Sequence, residues 1–264
     1  MKAAVFPPRQ AERLTTLLRQ FQLTTLTSEL IPRFEQAGHQ ELLPLVLEVC
    51  ELEAQARAER RITRLRAAAK LPPGKTFGTF EERHLPRPLV QQLRELATGR
   101  FLEGAVNVLA FGLPGVGKSH AACALGHALV EAGHSVRFTP TYQLLQELLA
   151  AKRDLTLPRL LRKLDAFELL ILDDLGYVRQ TAEEAEVLFT LLAERYERRS
   201  VCITSNLIFA QWDRIFRDQM ATAAAIDRLV HHSVLLEFDV PSFRTEQAKR
   251  RGKGTPRPPA DPTS

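Results

Sequence analysis

A glycine-rich stretch constrains what this chain can fold into more than any other feature. Residues 112–119 read GLPGVGKS and fit the pattern G-x-x-x-x-G-K-[ST], whose backbone N–H groups cradle phosphates. The apolar run NVLAF precedes this loop, and the helical pattern SHAACALGHALVEAG follows it. A strand, a loop and a helix in this order place a bound phosphate at the helix N-terminus. The stretch therefore predicts a nucleotide-binding P-loop rather than an ordinary glycine-rich turn.

The loop also predicts individual contacts with the nucleotide. Lys118 has the reach to meet the β- and γ-phosphates, and the Ser119 hydroxyl suits Mg²⁺. We expect nucleotide contacts from Gly112, Pro114, Gly115, Val116, Gly117, Lys118, Ser119 and His120. Upstream, Phe77 and Phe80 either pack near an adenine ring or form a hydrophobic latch on the core, and the sequence leaves both readings open.

Length, charge and cysteine usage narrow the class of protein. The chain has 264 residues, which is enough for one nucleotide-binding domain with a smaller appendage. Its net charge of +5 suggests a polyanionic partner. Its 3 cysteines are scattered without C-x-x-C spacing, so neither a disulfide framework nor a zinc site is indicated. No apolar run has the length of a membrane span, and the N-terminus lacks a signal-peptide core. We therefore expect a cytoplasmic protein with no membrane partner.

The chain is predicted to contain three segments. Residues 1–74 form a small helical domain, because Leu14, Leu17, Leu18 and Phe21 recur at helical spacing, as do Leu42, Leu45, Val46, Val49 and Leu52. LPPGK at residues 71–75 ends the last of these helices. Residues 75–246 are expected to form the nucleotide-binding domain, and the basic, proline-rich residues 247–264 are expected to be disordered.

Strands and helices alternate through the second segment. Apolar strands are predicted at residues 107–111, 135–139, 168–174, 200–206 and 233–239, with helical patterns between them. This alternation is typical of an α/β fold with a parallel five-stranded sheet flanked by helices.

Polar residues that follow the predicted strands supply candidates for hydrolysis. Asp173 suits a direct or water-mediated hold on Mg²⁺, and Asp174 can orient and deprotonate the attacking water. Asn206 either positions that water or forms a turn. Arg228 is either an arginine finger, acting in its own subunit or across an interface, or a partner of Asp227. His231 and His232 lack a third ligand-type neighbour and are interpreted as structural.

A basic stripe precedes the LPPGK break. It consists of Arg57, Arg60, Arg61, Arg64, Arg66 and Lys70 against a single acid, Glu59, and Lys152 and Arg153 lie on a later helix. Such a stripe is either a solvated helical face or a surface for nucleic acid. The absence of interleaved aromatic residues favours duplex over single-stranded DNA.

The motifs GLPGVGKS, ACALGHAL, LLILDD, ITSN and IDRLVHH, in this order, resemble those of the IstB-like transposition helper ATPases. These belong to the AAA+ (ASCE) class and are related to DnaC-type helicase loaders. The resemblance implies ATP with Mg²⁺, homo-oligomers on duplex DNA and stimulation of an integrase-type transposase. It assigns Lys118 and Ser119 to Walker A, Asp173 and Asp174 to Walker B, Asn206 to sensor 1, Arg228 to the finger and Arg244 to a position near sensor 2.

The chain departs from the AAA+ pattern in two respects. Asp174 stands where many AAA+ proteins carry Glu, which implies slow hydrolysis. There is no room after Phe243 for the usual helical lid, which bears on the role that the resemblance assigns to Arg244. Two other functions remain open from the sequence: a helicase-loading adaptor, and a nucleotide-binding regulator without affinity for DNA.

Overall fold

A computed structural model of the protein describes residues 6–176, 180–216 and 219–242. Arg244 and the tail predicted to be disordered lie outside these residues. The chain divides into two compact units, Met1–Arg64 and Leu65–Ser264. This division falls inside a helix, earlier in the chain than the predicted break at residues 71–75, and the predicted domain limits at 74 and 246 stay predictions.

The first unit is helical, as its apolar spacing predicts. It contains α1 (Pro8–Gln20), α2 (Thr24–Gln36) and most of α3 (Leu43–Ala69), which continues into the second unit. The α1 residues Leu14, Leu17 and Leu18 are buried together with Leu43 and Leu47 of α3. The helix predicted from this spacing is therefore confirmed, and its leucines face the core of the unit.

The helix predicted from the second set of apolar residues is confirmed as α3, but most of that set does not face the core. The side chains of Leu45, Val49 and Leu52 are 58%, 57% and 60% exposed, whereas Leu43 and Leu47 are buried. Both sets recur at helical spacing, so the sequence pattern alone did not distinguish them. Which of the two sets is buried depends on which face of α3 packs against the other helices of its unit.

The second unit is built around a five-stranded parallel sheet. The strands are β1 (Asn107–Gly112), β2 (Val136–Pro140), β3 (Leu169–Leu175), β4 (Ser200–Ser205) and β5 (Ser233–Phe238), in the order β2-β3-β4-β1-β5. All four pairings are parallel, so every carboxyl end lies at the same edge of the sheet. Each predicted strand is confirmed, with limits that agree to within a residue or two.

Helices cover both faces of this sheet. They are α4 (Arg87–Leu96), α5 (Lys118–Glu131), α6 (Thr141–Arg153), α7 (Leu157–Asp165), α8 (Ala182–Arg195), α9 (Asp213–Phe216) and α10 (Gln219–Val230). Val108 and Ala110 of β1 belong to the core that contains α4 and α5, while Leu109 and Phe111 belong to the core that contains α6 to α10. This alternation follows the two-residue period of a strand. No helix within the described ranges is both long and apolar enough to cross a bilayer.

A buried arginine joins α7, α8 and β4. Arg195 is 2% exposed, and its guanidinium donates to the main-chain oxygens of Leu164 at 2.9 Å, Phe167 at 3.0 Å and Ser200 at 2.9 Å. Carbonyls at a helix C-terminus lack partners within the helix, so a cation there is favourable. Burial lowers the pKa of Arg195 to about 10, which leaves it charged at neutral pH.

We expect Arg195→Met to lower the free energy of unfolding by about 3 kcal/mol, because buried carbonyls lose their donors. The matched control is Arg198→Met. Arg198 is 58% exposed and pairs with Asp165, so its loss should cost at most about 1 kcal/mol. Urea unfolding followed by circular dichroism measures both values. Equal losses in the two variants would contradict the structural role of Arg195.

Candidate nucleotide-binding site

The glycine-rich loop connects the end of β1 at Gly112 to the start of α5 at Lys118, in the predicted order. Gly117 has a φ of 104°, a left-handed conformation that side chains other than glycine rarely adopt. A Cβ atom on Gly112 would lie 2.6 Å from the main-chain oxygen of Phe238 on β5. Glycine is therefore required at Gly117 by conformation and at Gly112 by the close approach of β5.

Lys118 lies at the centre of the loop although its side chain is charged. Its exposure is only 5%, and its Nζ donates to the main-chain oxygens of Gly112 at 2.7 Å and Leu113 at 2.9 Å. It also donates to Oδ1 of Asn206 at 2.7 Å. The structure thus brings the predicted Walker A lysine and the predicted sensor residue into direct contact.

The two predicted Walker B acids have different environments. Asp173 is buried, and its Oδ1 accepts a hydrogen bond from the Thr204 hydroxyl at 2.6 Å. Asp174 is exposed, and its main-chain N–H donates to the same hydroxyl at 2.9 Å. Thr204 on β4 therefore holds both acids at the end of β3.

A backbone irregularity separates the two acids. The pairing of β3 with β4 shifts register between Leu172 and Leu175, and Asp174 has a φ of 58°. A non-glycine residue in this left-handed region is uncommon, and such irregularities re-aim side chains near active sites. The irregularity thus lies at the point where Asp173 is buried and Asp174 is exposed and lines the cavity.

A cavity of about 450 Å³ lies against the loop, a volume within the range of ligand pockets. Its lining includes Lys118, Ser119, Asp174 and Asn206. Further lining residues are Lys75, Thr79, Phe80, Glu81, His84, Leu85, Pro114, Gly115, Val116, Gly117, His120, Val240 and Pro241. The predicted residues of the loop, the second Walker B position and the sensor position therefore converge on one space.

The segment before α4 closes one side of this cavity. The Phe80 ring lies 5.0 Å from the His120 ring, centroid to centroid, and would contact a Cβ atom on Gly117 at 3.4 Å. Nε2 of His120 lies 3.2 Å from both the Thr76 carbonyl oxygen and the Thr79 hydroxyl. Burial lowers the pKa of His120, which favours its neutral form. These contacts join the first turn of α5 to the segment before α4, which we call the linker.

Four predicted nucleotide-site residues that the structure describes do not line this cavity, and two of them, Gly112 and Asp173, lie at the ends of β1 and β3 beside it. Phe77 packs on the apolar core of the sheet and does not line the cavity, which favours the latch for this residue. Arg228 on α10 also does not line it, and its Cζ lies 4.7 Å from the centroid of the Phe189 ring. Arg244 lies outside the described residues.

The residues of the basic stripe have acidic neighbours that the sequence analysis did not weigh. In the first unit Glu53 accepts from Nε of Arg57 at 2.6 Å and from Arg60 at 3.1 Å. These bonds partly neutralise the start of the stripe. The guanidinium of Arg57 also lies over the Phe21 ring, 4.3 Å from its centroid.

In the second unit, two further residues that were predicted to bind DNA form ion pairs with glutamates. Nε of Arg66 donates to Glu131 at 2.7 Å, and Nζ of Lys152 donates to Glu186 at 2.7 Å. The pairing with Glu131 raises the pKa of Arg66. The predicted roles of Arg61, Arg64, Lys70 and Arg153 in DNA binding stay predictions.

Sequence reasoning missed Thr204 and Ser205. The hydroxyl of Ser205 donates to the Leu175 carbonyl at 2.8 Å and accepts from the Leu207 N–H at 3.0 Å. The available signal was two hydroxyl residues at the end of the strand ITSN, beside the strand that ends in two acids. Strand order had to be known before that signal could be interpreted.

A parallel sheet with β1 between β4 and β5, a glycine-rich loop with a buried lysine and two acids on a nearby strand define a P-loop ATPase. Solved structures with this fold include a helicase loader and a DnaA protein. The DnaC helicase loader matches 64% of this chain and 99% of its own, with a TM-score of 0.53 and 20% identity. AMPPCP-bound DnaA from Aquifex aeolicus matches 70% of this chain and 56% of its own, with a TM-score of 0.53 and 18% identity.

The chain belongs to the family of IstB-like ATP binding proteins, which matches residues 16–251. An insertion sequence ATP-binding protein from Sinorhizobium fredii is 43% identical over 96% of this chain and 86% of its own length. The ATP-binding protein of insertion sequence IS21 from Pseudomonas aeruginosa is 36% identical over 90% of this chain and 91% of its own. The predicted family and fold class are therefore confirmed.

We expect Thr204→Val to slow ATP hydrolysis about 10–100-fold, because a hydrogen bond to a charged group is typically worth about 1.5–3 kcal/mol. Valine keeps the volume of threonine but provides no hydroxyl for Asp173 and Asp174. Thr204→Ser is the matched control and should retain most of the activity. Steady-state phosphate release measures turnover, and thermal unfolding confirms that both variants fold. A Thr204→Val variant with the wild-type rate would contradict this positioning role.

Proposed function

We propose that this protein is a DNA-binding ATPase that assembles on duplex DNA and helps an integrase-type transposase use its target DNA. The observation that carries the proposal is the convergence of Lys118, Asp174 and Asn206 on one cavity, in a chain whose relatives are insertion sequence ATP-binding proteins. The residues of the cavity support ATP binding, whereas the contacts with DNA and with a transposase would be made by other surfaces of the chain.

ATP binding is proposed to use the loop and the linker together. The N–H groups at the start of α5 and the Lys118 ammonium suit the phosphates. An ammonium has three N–H donors, so Lys118 contacts a phosphate by exchanging one of its present oxygen partners. Phe80 and His120 form the side of the cavity that suits a base.

The donor set fits Mg²⁺, which prefers oxygen ligands and is typically held in part by substrate phosphates. The Ser119 hydroxyl and the Asp173 carboxylate would hold it, with Thr204 fixing the orientation of Asp173. When bound, the ion neutralises charge on the phosphate oxygens. Asp174 would orient the attacking water and accept its proton, and Asn206 would hold that water from β4.

Arg228 is proposed to act on the nucleotide of a neighbouring subunit. It does not line the cavity of its own chain. Its guanidinium packs on Phe189, and Nη1 is buried without a hydrogen-bond partner. An arginine finger supplied in trans stabilises charge in the transition state and is typically worth 10³–10⁵ in rate. This proposal makes the active form a homo-oligomer.

Mixing two inactive variants tests the trans arrangement. Arg228→Ala and Asp174→Asn should each abolish turnover alone, since each lacks one half of every site. Random mixing at equal amounts should restore up to about a quarter of wild-type activity, because that share of heterologous interfaces pairs two intact halves. Steady-state phosphate release across mixing ratios measures the recovery.

The control for this experiment pairs Lys118→Ala with Asp174→Asn. Both of these changes damage the same half of the site, so no ratio should restore activity. If Arg228→Ala with Asp174→Asn also shows no recovery while assembly is intact by light scattering, Arg228 does not act in trans.

Duplex DNA is proposed to contact the part of the basic stripe that lies in the first unit. The chain carries 36 Lys and Arg against 31 Asp and Glu, and Arg57, Arg60, Arg61 and Arg64 lie on one helix. Contacts between arginines and phosphates do not depend on base sequence. Assembly repeats each weak contact, so ATP should strengthen binding through avidity.

Salt titration of duplex binding tests this surface. The log–log slope falls by about 0.9 for each phosphate contact, so changing Arg60, Arg61 and Arg64 together to Ala should make it shallower by up to about 2.7. Glu53→Gln should strengthen binding, because it releases Arg57 and Arg60 from their ion pairs. Fluorescence anisotropy with and without ATP measures both effects.

The matched control changes Arg9, Arg19 and Arg33, three exposed arginines of the same unit, to Ala. This control removes the same charge but lies outside the stripe, so its slope should stay close to that of the wild type. Equal effects of the two triple changes would assign the affinity to net charge rather than to the stripe.

Helicase loading is the second candidate, favoured by the likeness of the fold to the DnaC helicase loader. The insertion sequence relatives favour transposition, since they match far more of the sequence. Stimulation of strand transfer by the cognate transposase, and not of helicase loading, distinguishes the two functions.

A further inference from the structure

The structure supplies the third ligand-type neighbour that the sequence did not show for His231 and His232. Glu197 lies in the turn between α8 and β4, while the two histidines lie in the turn between α10 and β5. One ligand atom from each residue lies within 4.8 Å of the other two. Over the ranges that the structure describes, this is the one group of three such residues.

Further contacts already join the two turns. Nε2 of His232 lies 4.0 Å from Oε1 of Glu197, and the two imidazole rings lie 4.2 Å apart. The hydroxyl of Tyr196, the residue before Glu197, lies 3.3 Å from Nδ1 of His231. The N–H of Asn107 on β1 donates to the His232 carbonyl at 2.7 Å, which fixes the backbone of the second turn.

We propose that Glu197, His231 and His232 bind one Zn²⁺ ion, with water completing the coordination. Two imidazole nitrogens and one carboxylate are a donor set that zinc uses, at about 2.0–2.2 Å from the metal. Tetrahedral ligands at that distance lie about 3.4 Å from one another, so the three side chains need to close only slightly. All three are exposed and have room to move.

This site is separate from the nucleotide cavity. Ser200 and Ser233 begin β4 and β5, so the triad lies at the amino edge of the sheet, whereas the P-loop follows the carboxyl end of β1. The bound ion would join the turn after α8 to the turn after α10. These two helices carry Phe189 and Arg228, so the metal would fasten together the elements that hold Arg228.

The cysteines compete little for the metal. Cys123 and Cys202 are buried, and burial raises the pKa of both thiols, which keeps them protonated. Cys50 is half-buried in the first unit, far along the chain from the triad. A variant without the two histidines keeps Cys50, so it distinguishes Zn²⁺ binding at the triad from Zn²⁺ binding at this thiol.

Competition with a chromogenic chelator for Zn²⁺, using the full chain, tests the proposal. We expect one ion per chain. Loss of an outer hydrogen-bond partner of a metal ligand typically costs about 10–100-fold in affinity, so removing a ligand itself should cost at least about tenfold. His232→Ala and Glu197→Gln should therefore both bind Zn²⁺ at least tenfold more weakly. Zn²⁺ should also raise the thermal midpoint of the wild type but not of His231→Ala/His232→Ala.

Two controls locate the ion. His39→Ala removes an exposed histidine that lies 3.5 Å from a single acid, Glu41, and Asp174→Asn removes an exposed acid of the nucleotide cavity. Both variants should bind Zn²⁺ as the wild type does. The proposal is overturned by a wild type without a site, by unchanged affinity in the double histidine variant or in Glu197→Gln, or by loss of the ion in either control.

Discussion

The position of β4 between β1 and β3 is the constraint on which the nucleotide site depends. Parallel pairing places the ends of these three strands at one edge, where their polar side chains are within hydrogen-bonding distance. Asn206 meets Lys118 on the β1 side, and Thr204 meets Asp173 on the β3 side. If β4 had different neighbours, the buried Asp173 carboxylate would lose the Thr204 hydroxyl and Lys118 would lose the one side chain among its three oxygen partners.

Other buried polar side chains of the second unit also form hydrogen bonds with residues on neighbouring elements. The two terminal nitrogens of Arg195 donate to main-chain oxygens rather than to a carboxylate, and Asn107 bonds both the Leu229 carbonyl and the Val201 N–H. Both residues fix the amino edge of the sheet, opposite the phosphates. The edge that carries the triad of Glu197, His231 and His232 is therefore held by a hydrogen-bond network of its own.

Charge acts differently at the surface. The pairs formed by Glu53 and Glu131 with arginines are exposed, so each is worth little in stability. Their importance lies in competition, because an arginine that is bonded to a carboxylate must leave it to meet a DNA phosphate. The net positive charge of the chain thus overstates the charge that its basic stripe offers to a polyanion.

The sequence by itself determined the α/β class, all five strands, the loop and the family, because each rests on local periodicity or on a contiguous motif. Only the tertiary structure decided which side chains meet. Thr204 and Glu197 were missed because their partners lie on other elements, 31 residues away for Asp173. The spacing placed Leu45 on a helix but did not show that its face is exposed, because two faces of α3 carry the same spacing and packing against the neighbouring helices selects between them.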